Sequence, residues 1–221
     1  MSMKKAFTLS ELIIALGIVG VISALCIPQL SDNIEKTRTA SILGKVIKQV
    51  ETGVANYMTD DADETEASAE TLLGTSNVNN FMAPVSGILP KYIGAVAPET
   101  QERYKVCEYE SSTCETLNTN SMSTYKFNKI PAELWAIKLV DNSLNVLEDN
   151  KDTVIKTIKV DVNGFNKKPN QYGKDVFIIK ILNDGRVVPN GKASDCTKDN
   201  IGDGKSCAAR IVADKYKITY R

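Results

Sequence analysis

Residues 4–31 decide how this chain is read: Lys4-Lys5-Ala6-Phe7-Thr8-Leu9-Ser10-Glu11, then LIIALGIVGVISALCIPQLS over residues 12–31. Two lysines open the stretch, a single carboxylate follows at Glu11, and no charge occurs from Leu12 to Ser31. A helix of about twenty residues rises about 30 Å, enough to cross the hydrocarbon core of a bilayer. The lysines predict that the residues before it stay in the cytoplasm and that the rest of the chain lies outside. A secretory signal peptide accounts for Lys4, Lys5 and the apolar run. It does not account for Glu11, because a carboxylate at membrane depth costs about 2.5–3.5 kcal/mol and calls for a partner. A lipoprotein acylated at Cys26 is a further alternative, with bulky Leu25 where such processing wants a small residue.

The apolar run carries small residues at Ala15, Gly17, Gly20, Ser23 and Ala24. Gly20 and Ala24 have the small-xxx-small spacing that lets helices approach closely in lipid. Pro28 lacks an N–H and crowds the preceding turn, so it should kink or loosen the helix there. The helical pattern then continues, with Leu30, Ile34, Leu43, Val46, Ile47, Val50, Val54 and Tyr57 at spacings mostly of three and four. One long helix is expected from about Phe7 to Met58, about 75 Å at the standard rise. Its outer half is amphipathic and must bury its stripe against something, most simply the downstream domain.

Thr59 to Glu70, TDDADETEASAE, reads as an acidic, solvated segment. Helical and strand signals mix from Asn77 to Thr124, a stretch broken by Pro84, Pro90 and Pro98. Strands are predicted at Leu134–Val140, Thr153–Val162, Asp175–Leu182, Arg186–Val188 and Lys215–Tyr220. Asn183-Asp184-Gly185 is a hairpin turn signal between two of them. A helix first and an antiparallel sheet after it make an α+β arrangement.

The whole chain has 27 Lys+Arg and 27 Asp+Glu, a formal net charge of zero, which argues against nucleic acid as a partner. It contains no histidine, which removes Ser-His-Asp and Cys-His mechanisms and His-ligated metals. Of the five cysteines, Cys26 lies in the apolar run. The other four permit three connectivities, and the local pairs Cys107 with Cys114 and Cys196 with Cys207 are the economical choice. They suit an oxidising compartment. No metal site is expected. Asp161, Asn163 and Asp175 lie among turn residues; they read first as a turn holding two strands together and alternatively as oxygen ligands for Ca²⁺. Asp195, Asp199 and Asp203 around the Cys196–Cys207 stretch raise the same pair of readings.

Residues 5–13, Lys5-Ala6-Phe7-Thr8-Leu9-Ser10-Glu11-Leu12-Ile13, resemble the processing site of type IV prepilins and type II secretion pseudopilins. That site is a basic leader ending in Gly or Ala, then Phe-Thr-Leu-x-Glu and an apolar helix; Ala6 stands where Gly is commoner. The resemblance implies cleavage between Ala6 and Phe7 by a membrane prepilin peptidase, and N-methylation of the new Phe7 amine. It divides the chain into a leader (1–6), a transmembrane and assembly helix (7–30), its amphipathic continuation (31–58) and an α+β head (59–221), the pilin fold. Loss of Lys4 and Lys5 takes 27 Lys+Arg to 25 against 27 Asp+Glu, a formal net charge of −2.

Cleavage also gives Glu11 a purpose. It unmasks an α-amine, a group with a reference pKa of about 8, and opposite charges in a low dielectric are far less costly paired than alone. The resemblance implies that Glu11 meets the Phe7 amine of a neighbouring subunit and sets axial register; pairing within one helix is the alternative, since positions four apart share a face. Gly20, Ala24 and Pro28 are the other expected assembly residues. The implied partners are the peptidase, other pilin or pseudopilin subunits and a membrane assembly platform. The implied location is the bacterial inner membrane, single-pass, with the head outside the cytoplasm. The expectation is a structural filament subunit and not an enzyme. The alternatives are a minor or tip subunit whose head binds cargo or ligand, and a membrane-anchored enzyme.

Overall fold

Helix α1 spans Leu9–Asp60, 52 residues, and continues past Pro28. It belongs to a computed structural model that describes residues 8–60, 93–96, 104–117, 122–127, 130–137, 154–164, 166–182 and 185–221. The chain divides into two compact units, one ending at Arg38 and the other running from Thr39 to Arg221. In the first, large apolar residues from Leu9 to Ile34 stay more than half exposed. Leu30 and Ile34, which the periodicity placed in a buried stripe, are among them. The described part of that unit is helix almost throughout, so it offers them no second surface.

From Thr39 onward the helix is two-faced. Ala40, Leu43, Val46, Ile47, Val50 and Val54 are buried at three- and four-residue spacing, while Ser41, Lys45, Lys48 and Thr52 are exposed. The buried stripe joins one core with Ile158, Val160, Phe177, Ile179, Ile181, Val187, Ile211 and Tyr220. Those residues come from a six-stranded sheet ordered β1-β4-β5-β6-β7-β8 among the described residues, and from the C-terminal segment. The strands are β1 (Ala95–Val96), β4 (Met122–Phe127), β5 (Glu133–Ile137), β6 (Val154–Asp161), β7 (Val176–Leu182) and β8 (Val187–Pro189), each antiparallel to its neighbours. In β7, only Lys180 escapes full burial. A strand apolar on both faces belongs inside a sheet, and β7 sits between β6 and β8. The α+β class is therefore as expected, with the strands of the C-terminal half near their predicted places.

A separate two-stranded hairpin, β2 (Tyr104–Cys107) with β3 (Cys114–Leu117), lies in the stretch of mixed signals. It ties to the segment before β7: Cys107 N–H donates to the Asn170 carbonyl at 3.0 Å, and Tyr172 N–H donates to the Cys107 carbonyl at 2.9 Å. The acidic segment beyond Asp60, Pro84, Pro90, Pro98, residues 138–140 and Asn183-Asp184 lie outside the described residues.

The chain's end corrects one prediction. Lys215–Tyr220 is not a strand; a short helix α2 (Cys207–Ala213) precedes it and the tail is irregular. Lys215 and Tyr216 have φ of 55° and 59°, a left-handed pair that turns the chain off the helix and cannot enter a ladder. Their N–H groups close the helix end on Val212 and Ile211 carbonyls at 3.1 and 2.8 Å. Side chains then pin the tail, with the buried Tyr220 hydroxyl donating to the Gly173 carbonyl at 2.8 Å. The alternating pattern KITY reflects that anchoring.

Two nearby glycines separate conformational from steric demand. Gly202 and Gly204 have φ of 60° and 82°. A Cβ on Gly204 would clash with the Tyr172 carbonyl, whereas one on Gly202 meets nothing nearer than 4.0 Å. Gly202→Ala should cost about 1 kcal/mol, the backbone term alone. Gly204→Ala should cost clearly more, read as the larger fall in urea midpoint of the purified chain.

Candidate functional site

The start of α1 is organised by its own sequence. Thr8 N–H and Thr8 Oγ1 donate to Glu11 Oε2 at 2.9 and 2.8 Å, and Glu11 N–H donates back to Thr8 Oγ1 at 3.3 Å. This is a capping box: each side chain satisfies an N–H that the first turn leaves without a helical acceptor. Glu11 thus has a role within its own helix besides that of a partner for an amine. Thr8-Leu9-Ser10-Glu11 carries the S/T-x-x-E signal that would have disclosed this second role. Only Oε2 is engaged; among the described residues nothing bonds Oε1.

Beyond that turn α1 is long and apolar enough to cross a membrane. Gly20 and Ala24 lie exposed on it, and a Cβ on Gly17 or Gly20 would meet nothing within 4 Å. Within the chain these glycines relieve no crowding. Pro28 lies in the same exposed stretch. Ala6 and Phe7 lie outside the described residues.

In the head, Cys107 is bonded to Cys114 and Cys196 to Cys207, the two local pairs. The first closes the end of the β2–β3 hairpin, where the two cysteines are register partners. The second joins the segment after a 3₁₀ turn (Ala193–Asp195) to the first residue of α2. Cys26 is a free, exposed thiol.

The fold brings together Asp161, Asn163 and Asp175; Asp161 Oδ1 and both Asp175 oxygens accept from N–H groups, while Asn163 Oδ1 is buried without a hydrogen bond among the described residues. Asp161 Oδ1 accepts from Asn163 N–H at 3.0 Å and Gly164 N–H at 2.9 Å. Asp175 Oδ1 accepts from Gln171 N–H at 2.7 Å, and Oδ2 from Asn170 N–H at 2.8 Å and Asn163 Nδ2 at 3.2 Å. Burial pushes the Asp175 carboxyl up, and these bonds offset that only in part. Both carboxylates act as turn acceptors, which lets two loops meet at the ends of β6 and β7. Asp195 and Asp203 likewise accept from Lys192 and Lys205 N–H groups at 3.3 and 2.9 Å, while Asp199 is exposed. Among the described residues no group of three or more His, Cys, Asp or Glu side chains gathers around a point where a metal could sit.

The sequence reading missed a cluster of charge under the hairpin. Buried Lys159 on β6 pairs with Glu115 on β3 at 2.7 Å, and the Tyr172 hydroxyl donates to the same carboxylate oxygen. Lys159 and Lys205 lie 5.5 and 5.6 Å from the Tyr172 ring centre. Burial pushes the Glu115 carboxyl up, but the hydrogen bonds from Lys159 and Tyr172 and the charges of Lys159 and Lys205 outweigh it and hold it below its ordinary value. Burial, then the Glu115 carboxylate, push the Tyr172 hydroxyl up, so the proton stays on tyrosine. Nothing in the sequence spacing links residues 115, 159, 172 and 205; they come from two separate sheets and two connecting segments that only tertiary packing brings together.

The chain matches the family described as the prokaryotic N-terminal methylation motif over residues 1–27. This is the signal of type IV pilins and pseudopilins, and it points to a pilin-type structural subunit. The motif implies processing by prepilin peptidase, and with the long apolar helix it fits an inner-membrane-anchored, single-pass protein. The long helix followed by antiparallel sheets is consistent with the pilin fold. Nothing among curated proteins or solved structures matches the chain.

A group whose folded pKa is depressed contributes stability above its unfolded pKa and loses it as pH falls through the folded value. The Glu115 pair therefore weakens on acidification below the ordinary glutamate range, about 4. Glu115 keeps 44% of its side chain exposed, so solvent screening moderates the size of this effect. Glu115→Gln should be less stable than the parent at neutral pH and should lose less on going to acid. Urea midpoints of both proteins across pH 3–7 measure the difference.

Proposed function

We propose that this chain is a filament subunit of a type IV pilus or type II secretion pseudopilus: cut before Phe7, N-methylated there, and polymerised through α1. The observation that carries the reading is the single carboxylate of Glu11, at the head of an exposed apolar helix and inside the methylation motif. The capping box occupies Oε2 and turns no bond to Oε1, so one oxygen remains for a cationic partner. Cleavage supplies such a cation four residues away in sequence, as the Phe7 amine. In the filament the amine of one subunit meets the carboxylate of the next, and the cost of leaving either charge alone in an apolar surrounding sets the axial register. The exposed faces of Gly20 and Ala24 then admit a neighbouring helix closely. Chemistry is performed on this protein, at the Ala6–Phe7 bond, and the head supplies surface and lateral contacts.

Mass spectrometry of the mature chain should find it beginning at methylated Phe7. Glu11→Gln keeps a capping-box residue while removing the charge, whereas Glu11→Ala removes both. Both variants should be processed and both should fail to form filaments, with yield in the sheared fraction down by about tenfold or more, the equivalent of about 1.4 kcal/mol per contact. Normal filaments from Glu11→Gln would assign Glu11 to helix capping alone and sink the register role.

A further inference from the structure

The face of α1 turned away from the sheet core is not bare. Gly44, Lys45, Lys48 and Thr52, with Tyr216 and Ile130, line an open groove of about 740 Å³ within the unit that begins at Thr39. Tyr216 forms one wall, and it is held there under constraint. Its φ of 59° is fixed by its N–H bond to the Ile211 carbonyl, and its ring lies so close to Gly44 that a Cβ there would come within 2.9 Å. Even so, 41% of Tyr216 remains exposed. An aromatic ring fixed at the edge of an apolar groove is the kind of anchor that dominates protein interfaces.

The groove's rim is cationic and unmatched. Lys36, Lys159, Lys174 and Lys205 each pair with a carboxylate. Lys45 and Lys48 are exposed, as are Lys215 and Lys217 on either side of Tyr216, and among the described residues none of these four makes an ion pair. The chain carries a complementary stretch, Thr59–Glu70, with Asp60, Asp61, Asp63, Glu64, Glu66 and Glu70, no lysine or arginine, and alanines small enough for a shallow groove.

We infer that the groove of one subunit receives the acidic stretch 59–70 of a neighbouring copy. The inference rests on the filament reading, because a head-to-tail contact between a groove and a different surface of the same chain propagates as an open helical array. The apolar floor and Tyr216 supply the contact, and the four lysines supply selection for an acidic segment.

The test uses full-length chains in a Cys26→Ser background, in cells that make the filament. One tagged copy carries Thr52→Cys, a differently tagged copy carries Ala62→Cys, and sheared filaments are treated with a short bismaleimide. A dimer bearing both tags is expected in excess of same-tag dimers. Lys45→Glu with Lys48→Glu in the first copy should reduce it about tenfold, as opposed like charges at a rim do. Asp61→Lys with Asp63→Lys in the second copy should restore it, which also shows that the reversed groove still folds. Filaments without the mixed dimer, a dimer indifferent to both reversals, or Thr52→Cys joined to another protein instead, overturn this inference and leave the filament reading standing. A parent chain that never enters filaments overturns both.

Discussion

A helix that is apolar on every side for its first half and on one stripe thereafter cannot be satisfied by a single environment. From Leu12 to Ser31 it has no charge and no face that belongs in water. From Thr39 it alternates core and solvent positions, and the sheet takes the core side. The rest of the molecule follows from that division. One part must be covered by lipid or by other helices, and the other needs a folded head to cover it. Glu11 stands at the beginning of the first part, where a charge is hardest to accommodate. Its capping bonds to Thr8 fix its geometry without neutralising it.

The head holds itself together by a few specific devices. Its core is a helix stripe against one antiparallel sheet, and the smaller pieces are fastened by specific links. The β2–β3 hairpin is closed by Cys107–Cys114, laid on the pre-β7 segment by backbone bonds, and tied to β6 through Lys159 and Glu115. A lysine as buried as Lys159 is costly unless paired, so removing Glu115 leaves an uncompensated charge as well as a lost contact. The C-terminal tail is fixed by Tyr220 where a strand would have used a ladder.

The loops at the ends of β6 and β7 show how one composition serves two chemistries. Asp, Asn and Gly in close succession suit tight turns first and a cation as the alternative. In the fold, the Asp175 oxygens and Asp161 Oδ1 face backbone and amide N–H groups. An oxygen that accepts from N–H donors is oriented for turn formation, and the same bonds offset part of the desolvation of Asp175.

Local pattern was enough to determine the uncharged helix, the lone carboxylate, the two-faced continuation and most of the later strands, because each depends on residues a few positions apart. The capping box at Thr8 and Glu11 is equally local, carried by the S/T-x-x-E spacing of residues 8–11. The C-terminal tail misled: KITY alternates like a strand, but the left-handed pair Lys215–Tyr216 breaks any ladder. Tertiary structure alone decided the Lys159–Glu115–Tyr172–Lys205 cluster, the seating of Tyr216 on Gly44 and the close approach of Gly204 to Tyr172. These join residues 13 to 172 positions apart, and such distances are closed by the packing of sheets, loops and helix on one another, which no local spacing encodes.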